Sequence, residues 1–288
     1  MGSEMCIRDR AEGPDKVTPS DIVRMMVGRE INDLYVHTRH RAGDVRLAVR
    51  DLTGPGGIGP VSFDVRAGEV VGMVGLIGAG RTEVARLVYG VDRRTGGTVT
   101  LDGEALQVAN PIDGLRAGVG LLPESRKDQA LFLDLTVKDN ISMSTLSGFS
   151  SAGVIRGGPL LKAVRGVMEQ LKVRANALDL ESRALSGGNQ QKLVLGRLLL
   201  QKPKVLILDE PTRGVDIGAK SEIYRLIDEL ARAGMGVVVI SSEMAEIIGI
   251  CDRTLVMREG RLVGEIANRD GRRITQEAIM ALVSGVAA

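Results

Sequence analysis

The sequence contains no tryptophan and only three tyrosines and three phenylalanines in 288 residues. So few rings exclude the aromatic platforms on which single-stranded nucleic acids stack. A surplus of one charge is also missing, since 38 basic side chains stand against 36 acidic ones for a formal net charge of +2. Proteins held by phosphate-backbone charge carry a clear basic excess. The two cysteines, Cys6 and Cys251, supply neither a disulfide framework nor paired zinc ligands and suit a reducing compartment. Histidine is scarce: His37 and His40 both fall in the polar stretch 35–43, which leaves no imidazole from Asp44 onward for catalysis or metal binding. No apolar run reaches the roughly 18 to 20 residues that span a bilayer, and residues 1–10 are too charged for a secretory signal. Small-molecule chemistry on a soluble scaffold is the expectation left standing. The 37 glycines against 9 prolines point to an α/β chain with many tight strand-to-helix turns.

From about Val45 the chain alternates short β-branched runs with helical stretches, the pattern of a parallel sheet wrapped by helices. Residues 70–74, 205–208 and 237–240 are almost wholly apolar, as strands buried on both faces should be. Helices are expected over 81–89, 160–171, 189–200, 219–232 and 276–283, and a Gly/Ser loop over 147–158. Residues 17–28 read as a short capped helix ending at Gly28, and residues 274–285 echo them, with Thr, Ile and Gly at matching places. Two readings fit the echo. Both segments are ordinary amphipathic helices with a Thr cap, or the chain opens with the last helix of a preceding repeat, crosses a linker near 29–44 and then holds one complete second copy. Residues 1–10 fit neither copy and read as non-native.

Three strings carry chemistry. Gly75-Leu76-Ile77-Gly78-Ala79-Gly80-Arg81-Thr82, with Glu83 behind it, follows an apolar strand and opens a helix. That is the spacing of a phosphate-binding loop with Arg in place of Lys, although a glycine-rich packing turn has the same look. The strand over 205–208 ends in Asp209-Glu210, two adjacent carboxylates where ligands of such sheets collect. Asp209 suits Mg²⁺, Glu210 suits the polarising of a water, and without a cation or basic partner the two would repel. Between these lies Leu185-Ser186-Gly187-Gly188-Asn189-Gln190-Gln191-Lys192, which presents a hydroxyl and open N–H groups at a second helix start, again an anion-binding arrangement.

With these strings in this order, residues 44–283 resemble the ATP-binding cassette (ABC) family. The resemblance implies a P-loop NTPase, RecA-like core with an antiparallel β subdomain and an inserted helical subdomain over about 123–185, the whole domain running over 44–288 after a 1–43 tail and linker. It further implies ATP and Mg²⁺ as ligands and the phosphate loop of each domain facing the signature of a partner domain. Thr82, Glu124 and Asp209 then fall to the metal; Glu124 occupies the place of the family's Q-loop Gln, Asp216 matches its D-loop, and Ser242 replaces its switch histidine. Leu185 to Gln190 would serve the partner's site. Residues 80–83, 123–127, 189–192 and 213–216 are similar to the second nucleotide-binding domain of the tandem ATPase subunits of bacterial monosaccharide importers, of the ribose, galactose, arabinose and xylose type. That resemblance implies a first ABC domain in the same polypeptide, multi-span permease subunits, an indirect periplasmic sugar-binding partner and a peripheral place on the cytoplasmic face of the inner membrane, with no nucleic acid partner.

The departures from the family pattern weaken hydrolysis. Arg81 is bulkier and differently directed than an ammonium, Ser242 brings no imidazole to the γ-phosphate, and no aromatic lies between residues 44 and 60 to stack on adenine. The expectation is an ATPase domain that is weak or inactive alone. A non-hydrolysing regulatory or scaffold module, and an importer of nucleosides or polyols, are the alternatives; a cassette acting on DNA or ribosomes fits poorly with the near-neutral charge. The stretch 124–133, with its apolar triplet Leu131-Phe132-Leu133, reads either as the membrane-subunit contact or as subdomain core.

Overall fold

The computed structural model describes residues 35, 37, 38, 42–268 and 273–285. The reading of 17–28 as a helix and of 1–10 as non-native falls outside the described residues. In chain order the elements are β1 (Val45–Gly54), β2 (Ile58–Arg66), β3 (Val70–Gly75), α1 (Arg81–Tyr89), β4 (Gly96–Leu101), β5 (Glu104–Ala105), α2 (Pro111–Ala117) and β6 (Val119–Leu122). A helical segment follows, with a single π turn at Arg126–Ala130, α3 (Val137–Ser142), the short hairpin β7 (Ser150–Ser151) and β8 (Val154–Ile155), α4 (Gly157–Gln170) and α5 (Gly187–Leu199). The chain then returns to the sheet with β9 (Val205–Asp209), α6 (Ile217–Arg232), β10 (Gly236–Ile240), α7 (Met244–Ile250), β11 (Arg253–Arg258), β12 (Arg261–Ala267) and α8 (Gln276–Ser284).

The six-stranded sheet has the order β12-β11-β3-β10-β9-β6, parallel except for β12. Its central strands bury both faces, which is why their sequences run apolar without alternation. Val70, Val74, Leu206, Leu208, Val237 and Val239 enter one core with the helical segment and α5 to α8. The residues between them, such as Val71, Met73, Ile207 and Val238, enter the other, beneath α1 and the four-stranded antiparallel sheet β2-β1-β4-β5. Both the sheet-with-helices core and the antiparallel and helical additions therefore match the expected fold class.

Helix ends follow local chemistry. Asn110 accepts the N–H groups of Ile112 and Asp113 with Pro111 at the first turn, Asp216 caps α6 through Ala219 N at 2.9 Å, and Thr275 caps α8 through Ala278 N. Each removes an orphan donor from a helix start. The 147–158 stretch departs from its reading as a Gly/Ser loop. Leu146–Phe149 makes a 3₁₀ turn, Ser150–Ser151 pairs with Val154–Ile155, and α4 begins by Gly157. The two-residue turn at Ala152-Gly153 supplies positive φ at both positions, which is what a tight hairpin with matched twist needs.

Residues ahead of β1 also pack on this body. The Tyr35 ring stacks on Tyr224 of α6 with centroids 5.3 Å apart, and His37 lies between Asp228 at 3.3 Å and Asp252 at 3.1 Å. The N–H of Thr38 donates to Asp228.

Candidate functional site

The site forms because parallel register brings three strand ends to one edge. Ile240 pairs with Met73 on one side and Asp209 on the other, so the turns leaving β3, β9 and β10 converge beyond the carboxyl ends of the sheet. There they enclose a cleft of about 560 Å³ lined by the Gly78–Thr82 turn, Glu124, Asp209, Glu210, Arg213 and Ser242. Gly78 and Gly80 hold φ of 80° and 95°, a region open to glycine at little cost. Gly80 is fixed for a second reason, because a Cβ there would lie 2.9 Å from the Gly260 Cα and 2.8 Å from Ile58. The helix start behind it has no side-chain cap, so its N–H groups remain available to an anion. Leu76 and Ile77 stand exposed at the tip, and Glu83 is exposed on the first turn.

Asp209 is 2% exposed and accepts a 2.7 Å hydrogen bond from the Thr82 hydroxyl. Burial pushes its carboxyl up to about 6, the Thr82 bond opposes this, and the charges of Glu210 and Glu124 add to it. The positive charge of Arg81 also opposes the rise, so burial is its main cause. The donor set, carboxylate and hydroxyl oxygens, is hard and therefore suits Mg²⁺. Among the described residues no group of three or more acidic, His or Cys side chains converges to cage a metal. A cation here would take its remaining ligands from phosphate and water, as Mg²⁺ commonly does.

Glu210 has φ of 48°, uncommon for a residue with a side chain and a mark of local constraint. Its carboxylate accepts the Ser242 N–H at 2.8 Å and the Ser242 hydroxyl at 3.1 Å. Burial raises its pKa while these two bonds and Arg81 lower it. Arg81, in the position of the expected phosphate-loop lysine, donates to the Ser241 carbonyl at 2.9 Å. Its guanidinium is thus held by the turn after β10, which answers how so bulky a cation is accommodated in a turn spaced for lysine. Glu124 pairs with Arg213, across the mouth of the cleft. Arg213 is therefore also a site residue, carried by a lone positive charge three residues past the carboxylate pair.

The second glycine-rich helix start lies outside this cleft. Ser186 is exposed and accepts the Asn189 N–H only at 3.4 Å, a weak cap. Gly187 packs closely against the Gly214 carbonyl and the Arg126 guanidinium, and Gly188 against Ala219, with no room for a Cβ at Gly188. Gln190 is buried and donates back to the Ser182 carbonyl at 3.2 Å, Leu185 is half-buried, and Asn189 is half-buried. Asp216 is exposed and spends one carboxylate oxygen on the α6 cap, away from the cleft lining. Arg126 joins the two turns: it donates to the carbonyls of Arg213 and Gly214 at 2.7 and 3.1 Å.

A second, more apolar cavity of about 350 Å³ lies between α1, α2 and the helical segment, with Tyr89, Leu115, Leu121, Gln129 and Arg197 in its wall. The apolar triplet divides: Leu131 is buried at 7%, Phe132 is 54% exposed, and Leu133 packs against the core in part. Leu131 and Leu133 thus belong to the subdomain core, while Phe132 stands exposed beside them.

The sequence matches the family model described as "ABC transporter" over residues 58–213, more than half of the chain. It is 50% identical over 273 residues to a ribose import ATP-binding protein (RbsA 2) of Burkholderia pseudomallei, and 46% identical over 268 residues to the ribose import ATP-binding protein RbsA of Yersinia pestis. These alignments cover 94% and 93% of the chain but 53% and 52% of the relatives, so the chain spans about half the length of the curated relatives it matches. Among solved structures, a cassette of an ABC transporter superposes with a TM-score of 0.69 at 21% identity, over 84% of this chain and 96% of that one. The cbiO1 structure from Clostridium perfringens gives 0.66 at 22% identity, over 77% and 88%. A phosphate-loop turn, an acidic strand end beside it and a glycine-led helix set apart from both are thus found on a shared fold and in a matched sequence, and the chain belongs to the ABC transporter family.

Proposed function

We propose that this chain is the second nucleotide-binding domain of a tandem ATPase subunit that drives bacterial monosaccharide import. Magnesium ATP occupies the cleft between the Gly75–Thr82 turn and Asp209, with Thr82, Asp209 and Glu124 as the side chains that would hold the cation. When bound, Mg²⁺ neutralises charge on the phosphate oxygens. The open N–H groups at the start of α1 receive phosphate, while Arg81 and Ser242 lie with Glu210 at the cleft's inner wall. The observation that carries the reading is the separation of the two helix starts. One shares a cleft with Asp209, Glu210 and Glu124, and the other, Ser186 to Gly188, lies outside that cleft. It suits a donor surface for a first domain's nucleotide, and the half-length coverage of the ribose-import relatives supports that architecture.

In this reading the permease subunits meet the Glu124–Leu133 stretch and the neighbouring apolar cavity, the sugar arrives through a periplasmic binding protein, and the domain sits on the cytoplasmic face of the inner membrane. Among the described residues no helix is long and apolar enough to cross a membrane. The engagement of Arg81 by a backbone carbonyl favours one variant of the proposal, in which the cleft binds ATP and hydrolyses it slowly or not at all. Equilibrium binding of a fluorescent ATP analogue with Mg²⁺ to the purified chain, beside a steady-state ATPase assay, tests this. Binding with little turnover is expected. Turnover of roughly 1 to 10 per second by the isolated chain, an ordinary enzyme rate, would overturn the asymmetric reading, and absence of nucleotide binding would overturn the assignment of the cleft.

A further inference from the structure

The cleft leaves one buried carboxylate unexplained. Glu246 of α7 is 1% exposed and does not itself line the cleft. A carboxylate withdrawn from water costs several kcal/mol unless hydrogen bonds or charge compensate, and apolar packing commonly serves stability as well. Here the compensation is complete and comes from three separate elements. Oε1 accepts the Tyr224 hydroxyl of α6 at 2.6 Å and the Thr212 hydroxyl; Oε2 accepts the Ser241 hydroxyl at 2.6 Å. The Lys220 ammonium stands 3.6 Å away and is itself paired with Glu243. Burial and the Glu246 charge push the Tyr224 phenol upward, so it stays a donor.

Two of the three donors are immediate neighbours of the cleft residues. Thr212 lies two positions beyond Glu210, and Ser241 adjoins Ser242. Four polar groups of the Ser241–Ser242 turn are committed: the Ser241 hydroxyl to Glu246, its carbonyl to Arg81, and the Ser242 N–H and hydroxyl to Glu210. We propose that Glu246 is a positioning residue for the nucleotide cleft, locking the turn after β10 to the turn after β9 so that Arg81, Glu210 and Ser242 hold one arrangement at the end of the cleft that receives the terminal phosphate. The proposal rests on the reading of that cleft as an ATP site. Its content is specific: loss of the lock alters the recognition of ATP more than that of ADP, because the groups it orders gather where only the longer nucleotide reaches.

Glu246→Gln and Thr212→Val in the 288-residue chain, with Thr212→Ser as the conservative control, test it by MgATP and MgADP affinity and by amide hydrogen exchange without nucleotide. The expected result is about a tenfold loss of MgATP affinity in the first two variants, MgADP affinity unchanged, and recovery in Thr212→Ser. The Ser242 N–H should exchange about tenfold faster in Glu246→Gln while the Val238 N–H, inside β10, keeps its protection. Equal losses for ATP and ADP, or a lowered melting temperature with unaltered Ser242 exchange, would reduce Glu246 to a packing element and overturn the proposal. Faster Ser242 exchange in a chain that binds neither nucleotide would instead uphold the lock and overturn the ATP reading of the cleft.

Discussion

Two helix starts in this chain share a glycine-rich sequence and differ in what surrounds them. At α1 the turn stands over Asp209, Glu210, Glu124, Thr82 and Ser242, a concentration of carboxylates and hydroxyls in one cleft. At α5 the Arg126 guanidinium lies against Gly187 and is bonded to the carbonyls of Arg213 and Gly214. The glycines themselves do not separate the two. Gly80 is pressed on Gly260, and Gly188 on Ala219, each tightly enough to exclude a Cβ. Glycine at a helix start therefore reports close packing in both places, and it is the company of polar groups that distinguishes a site from a surface awaiting one.

The strongest way to break the comparison is to measure both starts in the full-length tandem protein. Ser186→Ala should lower ATPase activity by roughly 100- to 1000-fold, the loss typical of one preorganised donor to a developing charge, about 2.7 to 4 kcal/mol. Arg81→Ala and Glu210→Gln should fall well short of that. Equal losses from Ser186→Ala and Glu210→Gln would mean that both sites hydrolyse. Next in size is the fold itself. Gly80→Ala must place a Cβ against backbone at positive φ, so urea unfolding of this chain should show a loss of about 3 kcal/mol, the sum of overpacking and left-handed strain. An unchanged midpoint would show that the turn is free to relax and that its glycine serves only a ligand.

The acidic strand end gives a third, pH-dependent test. The Asp209 carboxyl lies near 6 in the fold against 3.8 for an ordinary one, so the folded state holds its proton more tightly than the unfolded state. Stability from this group is therefore present below about pH 4 and is lost as pH rises through 6, by about 2 to 3 kcal/mol in the absence of divalent cation. Asp209→Asn should remove that slope between pH 4 and 7, and Mg²⁺ with ATP should flatten it in the unaltered chain. Parallel curves for the two proteins would show that the carboxylate is not short of charge. The smallest effect belongs to the signature side: Arg126→Ala should cost about 1 kcal/mol, the worth of partly exposed hydrogen bonds, read as a shift in the urea midpoint.

Much of this was legible in the sequence because parallel strands buried on both faces advertise themselves, and α1 runs over 81–89 as its pattern requires. Asp209 and Glu210 were found by their place at a strand end, Thr82 by its place after the glycines. What stayed hidden was partnership across the chain. Nothing in the order of residues says that Arg81 will be taken by the Ser241 carbonyl, or that Glu124 will pair with Arg213, 89 positions away. Glu246 was missed for the same reason: within α7 it reads as one acidic residue of a helix, and its three hydroxyl donors are spread over residues 212, 224 and 241. The small hairpin over 150–155 escaped because strands of two residues carry no period.

The segment preceding the domain leaves one consequence in mechanical terms. Tyr35 bears on the ring of Tyr224 and on Gly249, where a Cβ would lie 2.5 Å from the Tyr35 Cγ, and His37 spans carboxylates of α6 and of the loop before β11. The chain thus enters its domain through a clasp fastened to α6 and α7, the two helices that supply Tyr224 and Glu246. Any side chain at position 249 would place its Cβ within 3 Å of Tyr35 and so press on that clasp where it meets α7.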